Sequence, residues 1–72
     1  METYLNLGGN SNVQYYRIEP DRIFVKFFKT ARIYCYSYFK AGQVHVDNMK
    51  KLARQGYGLN SYIMNNVRYL YD

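Results

Sequence analysis

The stretch Arg32-Ile33-Tyr34-Cys35-Tyr36-Ser37-Tyr38-Phe39 decides how this chain is read. Tyrosine recurs at every second position. In an extended strand Tyr34, Tyr36 and Tyr38 therefore leave one face, and Ile33, Cys35 and Ser37 the other. A helix would scatter the same rings around its circumference, and the β-branched and aromatic content adds to the strand signal. The spacing predicts a strand, expected at the centre of a small sheet.

Upstream, Ile23 to Phe28 is a second run of strand formers, joined through Lys29-Thr30-Ala31-Arg32. Thr-Ala is a poor pair for a primed hairpin turn, which leaves the register across it open. Glu19-Pro20-Asp21-Arg22 is a turn, because Pro20 pre-sets φ and Asp21 bonds nearby backbone. Val13 to Ile18 is the first secure strand. Tyr4-Leu5-Asn6-Leu7, ahead of the turn-rich Gly8-Gly9-Asn10-Ser11-Asn12, is a short edge strand or a loose arm. With two-residue tips at Pro20-Asp21 and Thr30-Ala31, one face carries Gln14, Tyr16, Ile18, Ile23, Val25 and Phe27 beside the three tyrosines. That face is the expected core. The opposite face carries Val13, Tyr15, Arg17, Phe24, Lys26 and Phe28, with Ile33, Cys35 and Ser37. A one-residue slip would exchange faces.

Downstream, Val44 to Gln55 has helical spacing, with Val46, Met49, Leu52 and Ala53 inward and Lys50, Lys51 and Arg54 on the solvated side. Asp47 falls in the first turn, where the helix dipole favours an acid, and Gly56 stops the helix. A second helix is expected from Leu59 to Tyr69, with Leu59, Tyr62, Ile63, Val67 and Leu70 on one stripe. The fold class is α+β: a three- or four-stranded antiparallel meander with two helices packed on one face. It forms a single domain over 1–72, with residues 1–12 as an N-terminal arm or edge strand.

A chain of 72 residues holds one small core, and its 49% hydrophobic content is unlike that of a disordered segment. The face holding Phe24, Phe28 and Ile33 is too apolar for a monomer's surface, so a homodimer or larger assembly is expected. No apolar run reaches the length of about 18 residues that spans a membrane, and no membrane partner is expected. Residues 1–6 show no signal peptide. The single Cys35 excludes an internal disulfide and fits a reducing cytosol.

Catalysis has little support. Cys35 and His45 are the only Cys–His pair, and Cys35 reads as a small apolar group inside the sheet. His45 reads as a surface or capping residue. One His and one Cys do not supply the four ligands of a structural zinc site. Glu19 and Asp21 are solvated turn acids, and neither glycine cluster has phosphate-loop spacing. No cofactor, metal or catalytic set is expected.

Binding is better supported. Ten Lys and Arg stand against five Asp and Glu, a net charge of +5 that favours anionic partners. Arg17, Lys26, Arg32 and Tyr15 gather on or beside the second sheet face, where rings stack on bases and cations meet phosphates. Asn60, Asn65 and Asn66 with Arg68 line a pocket beside Gly56-Tyr57-Gly58, or Asn60 only caps the second helix. The candidate ligand residues are therefore Arg17, Lys26, Arg32, Tyr15, Tyr57, Asn60 and Arg68. Tyr34, Tyr36 and Tyr38 are either core or ligand-facing.

The order of elements resembles the KTSC domain, a small module found at the C-terminus of some lysyl-tRNA synthetases and as a stand-alone bacterial or phage protein. Its central Tyr-x-Tyr is similar to Tyr34-Cys35-Tyr36, and its Ser-Asn before the first strand to Ser11-Asn12. Its Gly followed by Asn-x-x-Ile is similar to Gly56, Asn60 and Ile63. The resemblance covers about residues 11–69. Two features depart from it: Ser37 to Gln43 is longer than the family's loop, and His45 stands where many members have proline. The resemblance implies RNA binding, which has been suggested for the family, and assigns no catalytic residue. In size and composition the chain also resembles tiny oligomeric phage proteins that sequester host immune nucleotides. The leading expectation is non-enzymatic sequestration of a small phosphate-bearing nucleotide by a homo-oligomer. RNA or single-stranded DNA binding, and a structural or protein-interaction role, are the alternatives.

Overall fold

The computed structural model describes residues 1–72. Four strands form one antiparallel sheet in the order β1 (Glu2–Thr3), β2 (Val13–Glu19), β3 (Arg22–Phe27), β4 (Ile33–Ser37). Helix α1 (Gln43–Gln55) follows, then α2 (Leu59–Tyr62), which widens into a π-helical turn over Ile63–Val67. This is the α+β meander with two helices that the sequence pattern predicts. The helices cover the face where Tyr16, Ile23, Val25 and Tyr36 meet Val46, Met49, Leu59 and Ile63.

The tyrosine-rich strand is not central. β4 pairs only with β3, so it is an edge. A meander ends on its last strand, and the short β1 adds at the other side by pairing Glu2 with Tyr16. The free edge of β4 is covered by the chain's end. Asp72 donates its N–H to the Cys35 carbonyl at 2.8 Å, and its carboxylate accepts from the Ser37 hydroxyl and N–H. An exposed strand edge is a template for unwanted pairing, and this tail blunts it. It also buries Ser37, which the alternation assigned to the open face.

Two details of register depart from the simple pattern. Val13 pairs with Phe27 but Tyr15 with Lys26, so β2 holds one extra residue, a β-bulge at Gln14. The bulge turns Val13 into the core and Gln14 out of it, the reverse of strict alternation. Gln14 then accepts from the Lys26 ammonium at 2.6 Å. Across the second hairpin, Lys26 faces Ile33, where a Thr30-Ala31 tip would set it opposite Cys35. The loop is longer than two residues and passes through Lys29 at φ 66°. Because the slip is two residues, every side chain keeps its face.

The helices bring three corrections. Lys50 is not on the solvated side: it is 8% exposed, with its ammonium on the Pro20 carbonyl at 3.0 Å and the Tyr38 hydroxyl at 3.2 Å. A long apolar stem lets Lys cross packed surface and deliver its charge to oxygen acceptors. Asp47 lies past the first turn and accepts from the Tyr38 hydroxyl instead of serving the dipole. His45 neither caps nor stands free; its Nδ1 lies 2.7 Å from the Tyr62 hydroxyl, tying α1 to α2. In the last element Leu59, Ile63 and Val67 are buried, while Leu70 lies beyond the helix and is 38% exposed. The wider π turn keeps residues four apart over the same spot on the core.

Tyr36 is 1% exposed, and burial, followed by the neighbouring Tyr34 and Tyr71 phenols, pushes its hydroxyl up to about 12. In the unfolded chain the same phenol ionises near 10. Its contribution is therefore intact below about pH 10 and falls as pH rises towards 12, by about 2–3 kcal/mol. Alkaline unfolding monitored by circular dichroism is expected to shift to higher pH in Tyr36→Phe. An unchanged midpoint would refute the assignment.

Candidate functional site

At the end of the sheet where β3 turns into β4, the last helical turn and the chain's end close over the core face. They leave a cleft of about 500 Å³, within the range of small-ligand sites. Its walls are aromatic: Phe27 and Tyr34 meet edge-to-face at 5.5 Å, Tyr34 and Tyr71 at 4.9 Å, and Tyr36 and Tyr71 at 6.4 Å. Edge-to-face pairs are the favoured contact between ring quadrupoles and give the wall a fixed shape. Phe28 and Tyr69 extend it, and Asn12, Asn60, Lys29 and Arg68 supply polar groups.

The cleft is biased towards anions. The two ion pairs of the chain, Arg17–Glu19 and Arg22–Asp21, lie elsewhere, so neither Lys29 nor Arg68 is neutralised by a carboxylate. Arg32 stands beside the wall with its guanidinium 4.7 Å from the Tyr34 ring centre and 4.8 Å from that of Tyr71. Stacked there, it braces both rings and adds a third positive charge near the cleft. Tyr36 remains a neutral hydroxyl at ordinary pH, able to donate or accept.

The seven candidate residues do not converge on one place. Asn60 and Arg68 line the aromatic cleft and Arg32 braces its wall. Asn60 makes no side-chain cap to α2, which starts instead from Gly58 at φ 85°. Tyr57 lies in a separate, smaller cleft. Arg17, Lys26 and Tyr15 sit on the opposite sheet face, away from the aromatic cleft. Arg17 pairs with Glu19 at 3.1 Å, and the Lys26 ammonium, held by Gln14, lies 5.9 Å from the Tyr15 ring centre. Asn65 and Asn66 are exposed outside both clefts, Asn66 bonding the Tyr62 carbonyl. Tyr34 and Tyr36 are both core and cleft wall, so those alternatives are not exclusive.

Lys29, Asn12 and Tyr71 were not legible as site residues. One signal for Tyr71 was present: Tyr69-Leu70-Tyr71 repeats the every-second-residue spacing of the tyrosine strand it lies along. Nothing comparable marked Lys29 or Asn12, whose roles come from loop geometry.

Cys35 does not touch His45; its thiol is pushed up by burial first and by Asp72 second, and its near polar neighbour is Arg22 Nη1 at 3.9 Å. A thiol held protonated is a poor nucleophile. No helix is long and apolar enough to cross a membrane. Comparison of the chain with protein-family models, with curated proteins and with solved structures gave no match.

Proposed function

We propose that the protein binds a small phosphate-bearing nucleotide without altering it, and so sequesters it. One observation carries the reading: a 500 Å³ cleft lined by six aromatic rings, with Lys29 and Arg68 at its lining and no carboxylate paired to either. Rings hold a base by stacking, worth about 1–3 kcal/mol per base. Guanidinium and ammonium groups meet phosphate oxygens through charge-assisted hydrogen bonds. A plain apolar ligand would gain nothing from the two cations, and a cationic ligand would be repelled by them.

The opposite sheet face supports self-association as part of the same reading. Ile33 is 50% exposed there and lines a shallow surface with Phe24 and Met1, whereas Phe28, expected on this face, turns into the aromatic cleft.

RNA or single-stranded DNA binding is the second reading. It is supported by the KTSC resemblance and by Arg17, Lys26 and Tyr15 on the opposite face, outside the cleft. Salt dependence separates the two, because a polymer contacting many phosphates gives a steep slope and a compact ligand a shallow one.

The test is calorimetric titration with the four nucleoside 5′-monophosphates, with sedimentation run on the same samples. Lys29→Ala and Arg68→Ala are each expected to weaken binding by about 1.5–3 kcal/mol, the range for hydrogen bonds to charged groups. Arg17→Ala is expected to leave it unchanged. Recovery of a cleaved nucleotide would overturn the non-enzymatic part. Equal losses in all three variants would move the site out of the cleft. A species of only 8.7 kDa at micromolar concentration would remove self-association.

A further inference from the structure

The aromatic cleft does not end at its polar rim. A second cleft of about 260 Å³ adjoins it, and Asn60 lines both. The other divider is equally thin: Asn12 lines the first space and its chain neighbour Ser11 the second, with Cα atoms only 3.8 Å apart. Asn60 and the Ser11-Asn12 pair therefore stand between the two spaces.

Their linings differ in kind. No charged residue lines the second cleft; its floor and walls are three asparagines, two serines, three glycines and two tyrosines. Tyr4 is spent inside the fold, its hydroxyl accepting from the Leu59 N–H at 3.3 Å. Tyr57 is not. It is 63% exposed, with one edge against Gly8, where an added Cβ would lie 3.2 Å from the ring. An exposed phenol ring flanked by amides and a hydroxyl suits a neutral, planar, hydrogen-bonding group. It does not suit a phosphate, because no cation lines this cleft.

We propose that the two clefts together take a dinucleotide: one base and the terminal phosphate in the aromatic cleft, the second base on Tyr57, and the linking sugar-phosphate over Asn60 and Asn12. This rests on the reading that a nucleotide occupies the aromatic cleft, and it adds the ligand's length and the role of Tyr57. A mononucleotide fills the larger space and leaves the smaller one to water. The cleft lined by Met1, Arg17, Glu19, Phe24 and Ile33 shares no residue with these two.

The experiment is calorimetric titration of the intact protein with the four nucleoside 5′-monophosphates, the matching 5′-phosphorylated dinucleotides and the matching ten-nucleotide strands. The best dinucleotide is expected to bind at least about fivefold more tightly than its mononucleotide, the gain from stacking one more base. The ten-nucleotide strand is expected to stay within about twofold of the dinucleotide per bound strand. Tyr57→Ala should remove the dinucleotide's advantage while leaving the mononucleotide unchanged, and Tyr57→Phe, which keeps the ring, should restore it. Thermal midpoints of both variants report folding, and Asn10→Ala, on the same wall, gives an independent partial loss. Equal affinity for mono- and dinucleotide, or equal weakening of both by Tyr57→Ala, overturns the dinucleotide and leaves the aromatic cleft standing. Affinity that keeps climbing to ten nucleotides overturns it in favour of a polymer. Absence of binding to every mononucleotide and dinucleotide overturns both readings together.

Discussion

Tyr36→Ala is expected to destabilise the protein by about 3–5 kcal/mol, the cost of deleting a large, fully buried aromatic. Tyr36 is 1% exposed and sits where β4 faces Ile23 on β3 and the helices above. Removing its ring deletes apolar burial and opens a void that rigid neighbours do not refill. It also takes away the edge-to-face partner of Tyr71 at 6.4 Å, loosening the tail that blunts the β4 edge. In a domain of this length such a loss lowers the thermal midpoint by about 12–40 °C, and it approaches the total stability of small domains, about 5 kcal/mol at the low end. Differential scanning calorimetry measures it directly. A midpoint within a few degrees of the parent protein would show that the tyrosine strand does not present this face to the helices.

Gly56→Ala is expected to cost about 2–4 kcal/mol, from two separate sources. Gly56 ends α1 at φ 75°, and its N–H bonds the carbonyls of Leu52 and Ala53. A side chain is strained in that left-handed conformation by about 1–2 kcal/mol. The second source is the N-terminal arm. A Cβ on Gly56 would stand 2.6 Å from the Leu5 Cβ, and the Gly56 carbonyl accepts from the Leu7 N–H at 2.8 Å, so the arm has no room to yield. Gly9→Ala is the matched comparison, with φ 82° and nothing within 4 Å of an added Cβ. It is expected to show the strain alone. Chemical denaturation of the two variants separates the contributions, and equal losses would show that Leu5 is not pressed against the helix end.

The consequence reaches the second cleft. The arm that Gly56 holds carries Gly8, which backs the Tyr57 ring, and Asn10, which lines the second cleft. Gly56 also lines that cleft, and Gly56→Ala is therefore expected to weaken dinucleotide binding.

The sequence by itself determined the face each strand presents. Side chains alternate with period two, so Tyr34, Tyr36 and Tyr38 share a face whichever strands flank them, and a two-residue change of register at Lys26–Ile33 left it untouched. The helical stripes were legible for the same reason, since Val46, Met49 and Ala53 fall inward by spacing alone. Only the tertiary structure decided what lay outside a period. Whether the tyrosine strand was central or an edge depended on which backbone paired with it. The bulge at Gln14 has no residue type that announces it, yet it moved Val13 into the core. Lys50 reads as a surface residue because of its charge, and it is buried because the Pro20 carbonyl and the Tyr38 hydroxyl, distant in sequence, stand where its ammonium arrives. The aromatic cleft belongs to this second group entirely. Asn12, Lys29, Asn60 and the Arg68–Tyr71 tail come from four parts of the chain, and no local pattern links them. They meet because the chain's end lies along the β4 edge while the arm closes over the end of α1, and such contacts depend on long-range packing that alternation does not encode.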